Sequence, residues 1–446
     1  MKKRLKIKPC LIALNLIFIL GCIIFYGSRL IYYYKIENPN TKNIKTLKKL
    51  VLLEKNIVKS GDGLYKEKKG YYYKGKKINN YIKYSGRLFR IVSISNEGDI
   101  KLITEDSQTS LVWGYNQDYQ NSYIKSWLNN DGNAVKSFKA SLDNTSEILI
   151  PNKTCIDLID ASNITCKTID NDYVGLLSVE EYDKAGDENS YLNIGKYFWT
   201  SNKDKNGNVW YIYSKGNVNN SSNSGLVHHS YGVRPTIMIN GNISNFKGEG
   251  TKENPYEIIF ETKETINKKH VGDYVNFSNL NWRIIEKNET TVKLVLDGLL
   301  KENNKTLLKP FGTTNYFTAK TGIGYYLNTT FYNSLSGKDK IIPSKFILGR
   351  YDKTNKYNFN KLNEYTEDAN VGLLQLGELF VNDFENYYLS TRTITSDNTI
   401  YQVLEEGKIF VGSPNDKLGI RPTIYLNSNM KTIEGKGTKS NPYKVE

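Results

Sequence analysis

The chain has few of the residues that carry most catalytic and metal chemistry: its 446 residues include four cysteines, three histidines, ten prolines and three methionines. Two of the histidines, His228 and His229, are adjacent, and side chains at successive positions diverge, which argues against a shared metal. No Gly-rich phosphate loop, Ser-His-Asp order or glycosidase-type carboxylate pair can be identified. The Asp204, Asn206 and Asn208 series has calcium-loop spacing but lacks the distal Glu, so Asn206-Gly207 reads as a hairpin turn. No cofactor or metal is expected, and no catalytic residue is assigned. The net charge of +15, from 61 basic and 46 acidic residues, is spread along the chain without a basic block, and nucleic acid is not an expected partner. Spread lysine reads as a solvated surface, or as attraction to anionic wall polymers or lipid head groups.

Long hydrophobic runs are also missing, with one exception. Lys2, Lys3, Arg4, Lys6 and Lys8 precede an apolar run from Cys10 to Tyr26. Counted through Gly27 it is about 18 residues, long enough to cross a hydrocarbon core, and the basic leader favours an N-terminus inside. A single-pass signal anchor is expected over residues 1–35, with the C-terminal domains extracellular. Ile19-Leu20-Gly21-Cys22 offers the rival reading of a lipoprotein signal, but the apolar run continues beyond Cys22 as Ile23-Ile24-Phe25. A stalk over 36–60, with apolar residues near helical spacing, is expected to lift the rest from the membrane.

Of the cysteines, Cys10 and Cys22 lie in the apolar run. Cys155 and Cys166 are the only two in the exported part, and a disulfide between them is expected outside the cell.

What the chain does have is a duplication. Tyr231-Gly232-Val233-Arg234-Pro235 returns as Leu418-Gly419-Ile420-Arg421-Pro422, and both copies close on Gly-x-Gly-Thr-Lys-x-Asn-Pro-Tyr. FRIVSI and DIKLIT (89–94, 99–104) match WRIIEK and TVKLVL (282–287, 291–296), and VGLLSVEE (174–181) matches VGLLQLGE (371–378). Spacing drifts between landmarks, as expected of loops. Two domains follow, 61–260 and 261–446, each α+β with a mostly antiparallel sheet, long loops and one or two short helices. Ser122–Leu128 and Leu177–Lys184 are the helix candidates in the first.

Two constellations stand out. Arg234 and Arg421, in register in both copies, read as structural braces, because a planar guanidinium can satisfy several carbonyls or a buried carboxylate. Trp113, Tyr115 and Tyr119, in a polar stretch, read as a ligand surface able to stack on sugar rings or peptide.

Taken together, the Phe/Trp-Arg-Ile start, Trp-Leu-Asn, VGLLSVEE, YFWTS, WYI and the closing Gly-Val-Arg-Pro resemble the bacterial domain-of-unknown-function family 6273. That family is similar to the C-type-lectin-like group, which also holds the formylglycine-generating-enzyme domain. The resemblance covers 79–258 well and 271–446 less well, with Leu389 standing where Trp199 does and Gln375 where Ser178 does. It implies two tandem C-type-lectin-like domains. The calcium motif of sugar-binding lectins is absent, and Cys155 and Cys166 do not match the enzyme's cysteine pair, so neither activity carries over. The expected function is a membrane-anchored extracellular binding or adhesion protein for a glycan, peptide or protein. The alternatives are an exported enzyme acting on cell-wall material and a structural envelope protein.

Overall fold

Alternating apolar residues in the repeated segments become a long antiparallel hairpin at the centre of each half. Arg87–Ser95 pairs with Ile100–Thr104, and Leu280–Lys287 with Thr291–Leu296. Both hairpins carry a register shift at the equivalent place, between Ile91 and Ser93 and between Ile284 and Glu286. Such a bulge re-aims the side chains around it. The computed structural model describes residues 46–446 except 54–55, 115–116, 131–135, 157, 161–162, 167–168, 205, 222–228, 260–264, 319, 348–365, 379–386, 393–397 and 405–406. Side chains of strand residues flanking these gaps, including 158–160 and 163–166, are likewise outside the description.

Around these hairpins the two halves build the same main sheet. In the first, the order is Val174–Gly175, Thr236–Ile239, Ile100–Thr104, Arg87–Ser95, Tyr81–Tyr84, Tyr256–Ile258, Phe246–Lys247. In the second it is Val371–Leu373, Pro422–Asn427, Thr291–Leu296, Leu280–Lys287, Tyr274–Phe277, Tyr443–Val445, Thr432–Glu434. The last strand of each half runs parallel to an early one, Tyr256–Ile258 to Tyr81–Tyr84 with Tyr256 opposite Ile82 and Tyr443–Val445 to Tyr274–Phe277 with Tyr443 opposite Val275, so each half closes back on its N-terminal part. The repeated Gly-x-Gly turn makes this closure possible. Gly248 and Gly435 sit at φ of 96° and 105°, and a Cβ on either would meet a carbonyl oxygen, of Pro255 or Pro442, at about 2 Å.

A second sheet is also duplicated: Val218–Ser221, Val209–Ile212, Phe198–Lys203, Tyr231–Val233, Thr109–Leu111 in the first half, and Ile409–Gly412, Ile400–Val403, Tyr387–Arg392, Leu418–Gly419, Leu308–Lys309 in the second. The Gly-x-Arg-Pro motif is the point where the chain crosses from this sheet to the main one. Apolar residues at matching positions fill the core, among them Phe89 and Trp282, Leu102 and Leu294, and Ile237 and Ile424, all fully buried. The architecture is thus mostly sheet with short helices. Ser122 caps Tyr123–Asn129 by accepting from the Lys125 amide, and Ser178 with Glu181 forms a capping box on Val179–Ala185.

The expected stalk differs from what is found over its described part. Leu47–Val51 is a short helix whose Leu47 and Val51 are fully buried, and the amides of Leu47 and Lys48 donate to Ile243 and Gly241. Burial of an apolar face is more favourable than leaving it in water, so this segment belongs to the first module. The expected anchor at 1–35 lies outside the described residues, and among those described no helix is long and apolar enough to cross a membrane.

The modules meet at a polar junction. The Asp143 carboxylate of the first receives Lys287 Nζ at 2.7 Å and pairs with His270 Nδ1 at 2.6 Å, both from the second. Ser85 Oγ also donates to it, at 2.7 Å. Burial alone would raise the Asp143 carboxyl, but the His270 hydrogen bond and the Lys287 ammonium outweigh it and hold the group well below the usual carboxylate range. Nearby, the Trp127 indole donates to the Gly377 carbonyl, and Lys408 lies over the Tyr197 ring.

Candidate functional site

In the middle of each central strand, among buried neighbours, stands a lysine. Lys101 in Ile100–Thr104 and Lys293 in Thr291–Leu296 occupy equivalent positions, and each is 3% exposed. An ammonium there needs a partner. It comes from the end of the repeated VGLL segment: Lys101 Nζ lies 2.5 Å from Glu181 Oε1, and Lys293 bonds Glu378 Oε1. The other carboxylate oxygen is used alike in both modules, accepting the Ser178 amide at 3.0 Å and the Gln375 amide at 2.9 Å. Each glutamate therefore caps a turn with one oxygen and neutralises a buried lysine with the other.

What surrounds the pair differs between modules. Beside Lys101, the strand neighbours are Ser93 and Met238; beside Lys293 they are Glu286 and Tyr425. In the second module the place is filled. Phe346, from the hairpin Ser344–Ile347 and Thr366–Ala369, packs at 5.4 Å from the Tyr425 ring, and both rings lie under the Lys293 ammonium, at 5.5 and 5.2 Å. Burial alone would push this ammonium down; Glu378 first, then Tyr425 and Glu286, hold it above the usual lysine range. Burial raises the neighbouring Glu286 carboxyl above its ordinary value.

In the first module the pair lies at an open cleft of about 320 Å³. Much of its wall comes from elements without a counterpart among the second module's described residues: the hairpin Gly63–Glu67 and Gly70–Lys74, which supplies Tyr71, Tyr72 and Tyr73, and the cysteine-bearing segment, which supplies Lys153, Cys155 and Ile169. Glu180, Glu181 and Lys184 border it from the helix Val179–Ala185. The different closure is visible at one glycine pair. A Cβ on Gly372 would meet the Phe346 ring at 2.2 Å, whereas one on the equivalent Gly175 would meet the Thr154 hydroxyl at 2.0 Å. A small polar side chain therefore stands in the first module where a phenyl ring seals the second. Tyrosine faces, lysine ammonium groups and carboxylates around one opening suit a polar ligand with an apolar face.

The residues singled out in the sequence lie elsewhere. Trp113 and Tyr119 are 1% and 2% exposed and cannot form a ligand surface; Tyr115 lies outside the described residues. Their rings pack 6.0 Å apart, and Trp113 meets Trp199 edge-on at 5.6 Å, so the polar neighbours in sequence conceal a core segment. Arg234 is 1% exposed and donates to the carbonyls of Thr104, Glu105 and Leu192, over the Phe198 ring. Arg421, equally buried, donates from Nε to the Leu296 carbonyl over Tyr387. Both sit where the chain crosses between sheets, and none of these bonds reaches the cleft. Cys155 is disulfide-bonded; the side chain of Cys166, its expected partner, is outside the description. Asp204 accepts the Asn206 and Asn208 amides, the geometry of a turn. The Lys–Glu pairs went unread in the sequence, although the signal was there: a lysine kept at the centre of both DIKLIT and TVKLVL, and a glutamate kept at the end of both VGLL segments.

No family model, curated protein or solved structure matches the chain.

Proposed function

We propose that the chain is a membrane-anchored, outward-facing binding protein with two C-type-lectin-like modules, in which the first binds a glycan or peptide in the cleft at Lys101 and Glu181. The observation that carries this reading is the unequal treatment of one duplicated feature: the same buried pair is sealed in the second module and left at an opening in the first. A buried ion pair contributes little net stability over an apolar replacement, so an open one has scope for a role beyond packing. Support for the lectin-like assignment comes from the parallel pairing of an early strand with the last one in each half and from the second sheet, from which the chain returns to the main sheet through Gly-x-Arg-Pro. The basic leader and apolar run support the anchor and its orientation. In this division of labour the second module stabilises and presents the first.

The test is binding of soluble cell-wall glycan fragments and of short peptides to the full chain in detergent, compared with Tyr72→Ala and Lys184→Glu. Tyr72 and Lys184 border the cleft and are only partly buried, so both variants should fold. Binding weakened at least tenfold by either supports the proposal. Binding unchanged in both refutes it, and conversion of the fragment to product, abolished by Glu181→Gln, would replace it with the enzymatic alternative.

A further inference from the structure

A larger cleft, of about 590 Å³, lies between the modules. From the first module come Arg87, Glu105, Asp106, Gln108, Asn193, Lys196 and Lys252; from the second come Gly272 and Arg283. Its carboxylates are already engaged. Asp106 takes Lys196 Nζ on both oxygens at 3.0 Å, and Glu105 pairs with Arg90 at 3.3 Å. Its guanidinium groups are not matched in this way. Arg87 donates to the Gln108 side chain, to the Ser85 and Ser141 carbonyls and to the Ser141 hydroxyl, all neutral acceptors. Arg283 Nε donates to the Gly272 carbonyl at 3.0 Å, and its guanidinium lies 4.7 Å from the Tyr274 ring centre. Neither arginine, nor the exposed Lys252, makes an ion pair among the described residues.

Arg87 and Arg283 both line this cleft. Burial lowers the Arg87 guanidinium to about 10, with Asp143 and Asp273 opposing the shift and Arg283 adding to it. Two guanidinium groups at one boundary without a carboxylate in direct contact repel each other, and a bound anion would offset that repulsion. A guanidinium whose Nε is tied to a carbonyl is also fixed in orientation, which favours recognition of planar or tetrahedral oxyanions over simple counterion attraction.

We propose that this cleft binds an oxyanion, a phosphate or carboxylate group, with Arg283 as its principal ligand, Lys252 adding charge at the rim and Arg87 charge from the wall. Because the ligands come from both modules, occupancy ties the modules together. This site is independent of the Lys101 cleft.

The test is isothermal titration of the full chain in detergent with inorganic phosphate and, separately, with glutarate, at constant ionic strength, repeated on Arg283→Gln and Lys252→Glu. The proposal expects saturable binding of at least one anion, weakened tenfold or more by R283Q and two- to fivefold by the exposed K252E. Phosphate binding alone assigns a phosphorylated ligand; glutarate binding alone assigns a carboxylate ligand. No saturable binding of either anion to the native chain overturns the proposal. If R283Q does not fold, K252E decides: unchanged affinity in that variant overturns it.

Discussion

Replacing Arg234 with methionine should unfold the first module at a markedly lower temperature while leaving the second intact. The guanidinium makes four hydrogen bonds to three carbonyls: 2.9 and 3.1 Å to Thr104, 3.2 Å to Glu105 and 2.7 Å to Leu192. Burial lowers it to about 10, with Glu105 opposing the shift, so it remains charged at neutral pH. Methionine fills similar volume but offers no donor, leaving these carbonyls without their charged partner where the chain changes sheets. Bonds to charged groups are worth about 1.5–3 kcal/mol each, and relief from burying the cation returns part of that. The net loss should be about 3–5 kcal/mol, a large fraction of a typical domain's stability. For a module of about 190 residues each kcal/mol lowers the melting temperature by roughly 2–4 °C, so a fall of about 10 °C is expected by scanning calorimetry. Arg421→Met, which removes the bond to the Leu296 carbonyl, should lower the second module's transition while leaving the first intact. An Arg234→Met variant that melts like the parent would show that the arginine is not a brace.

Three further outcomes follow from the geometry. Asp143→Asn should loosen the modules from each other at pH 7 without unfolding either. Since the folded carboxyl is held low, its contribution is present above the ordinary aspartate value and lost as pH falls through the lower folded one, so the native junction should open only below about pH 4. Small-angle scattering from pH 7 to 2 reads both effects, and a native junction that opens near neutrality would contradict them. Glu378→Gln should cost about 3–5 kcal/mol, because it leaves Lys293 buried without its counter-charge, whereas Lys293→Met with Glu378→Leu should recover most of the loss. Equal melting of the single and double variants would refute this. Reduction of the Cys155 disulfide should lower the first module's stability by about 2–3 kcal/mol and expose its segment to protease without unfolding the core; an unchanged digestion pattern would show that the bond holds nothing in place.

The duplicated plan was legible because each repeated motif performs a local backbone task. Gly248 and Gly435 turn the chain, Ser122 and Ser178 cap helices, and the paired segments rich in Ile, Val and Leu form the central strands. Side-chain environment was less legible, because it is decided by contacts distant in sequence. Trp113 stands among polar neighbours, yet it is buried by Trp199, far along the chain. Lys101 and Lys293 drew no notice in the sequence, and strands buried on both faces place them inside, against glutamates roughly 80 residues on. The helix Leu47–Val51 has the period of an amphipathic stalk; that its apolar face lies on the first module is a fact of packing rather than of period.

The most direct test of the central claim, that the first module's cleft is the binding site and the second's is sealed, is hydrogen–deuterium exchange of the full chain with and without a wall glycan fragment or peptide that it retains. The account predicts slowed exchange in Gly70–Lys74 and Val179–Ala185, with Ser344–Ile347 and Val371–Leu373 unchanged. Protection confined to the second module, or none at either cleft while ligand is bound, would contradict it.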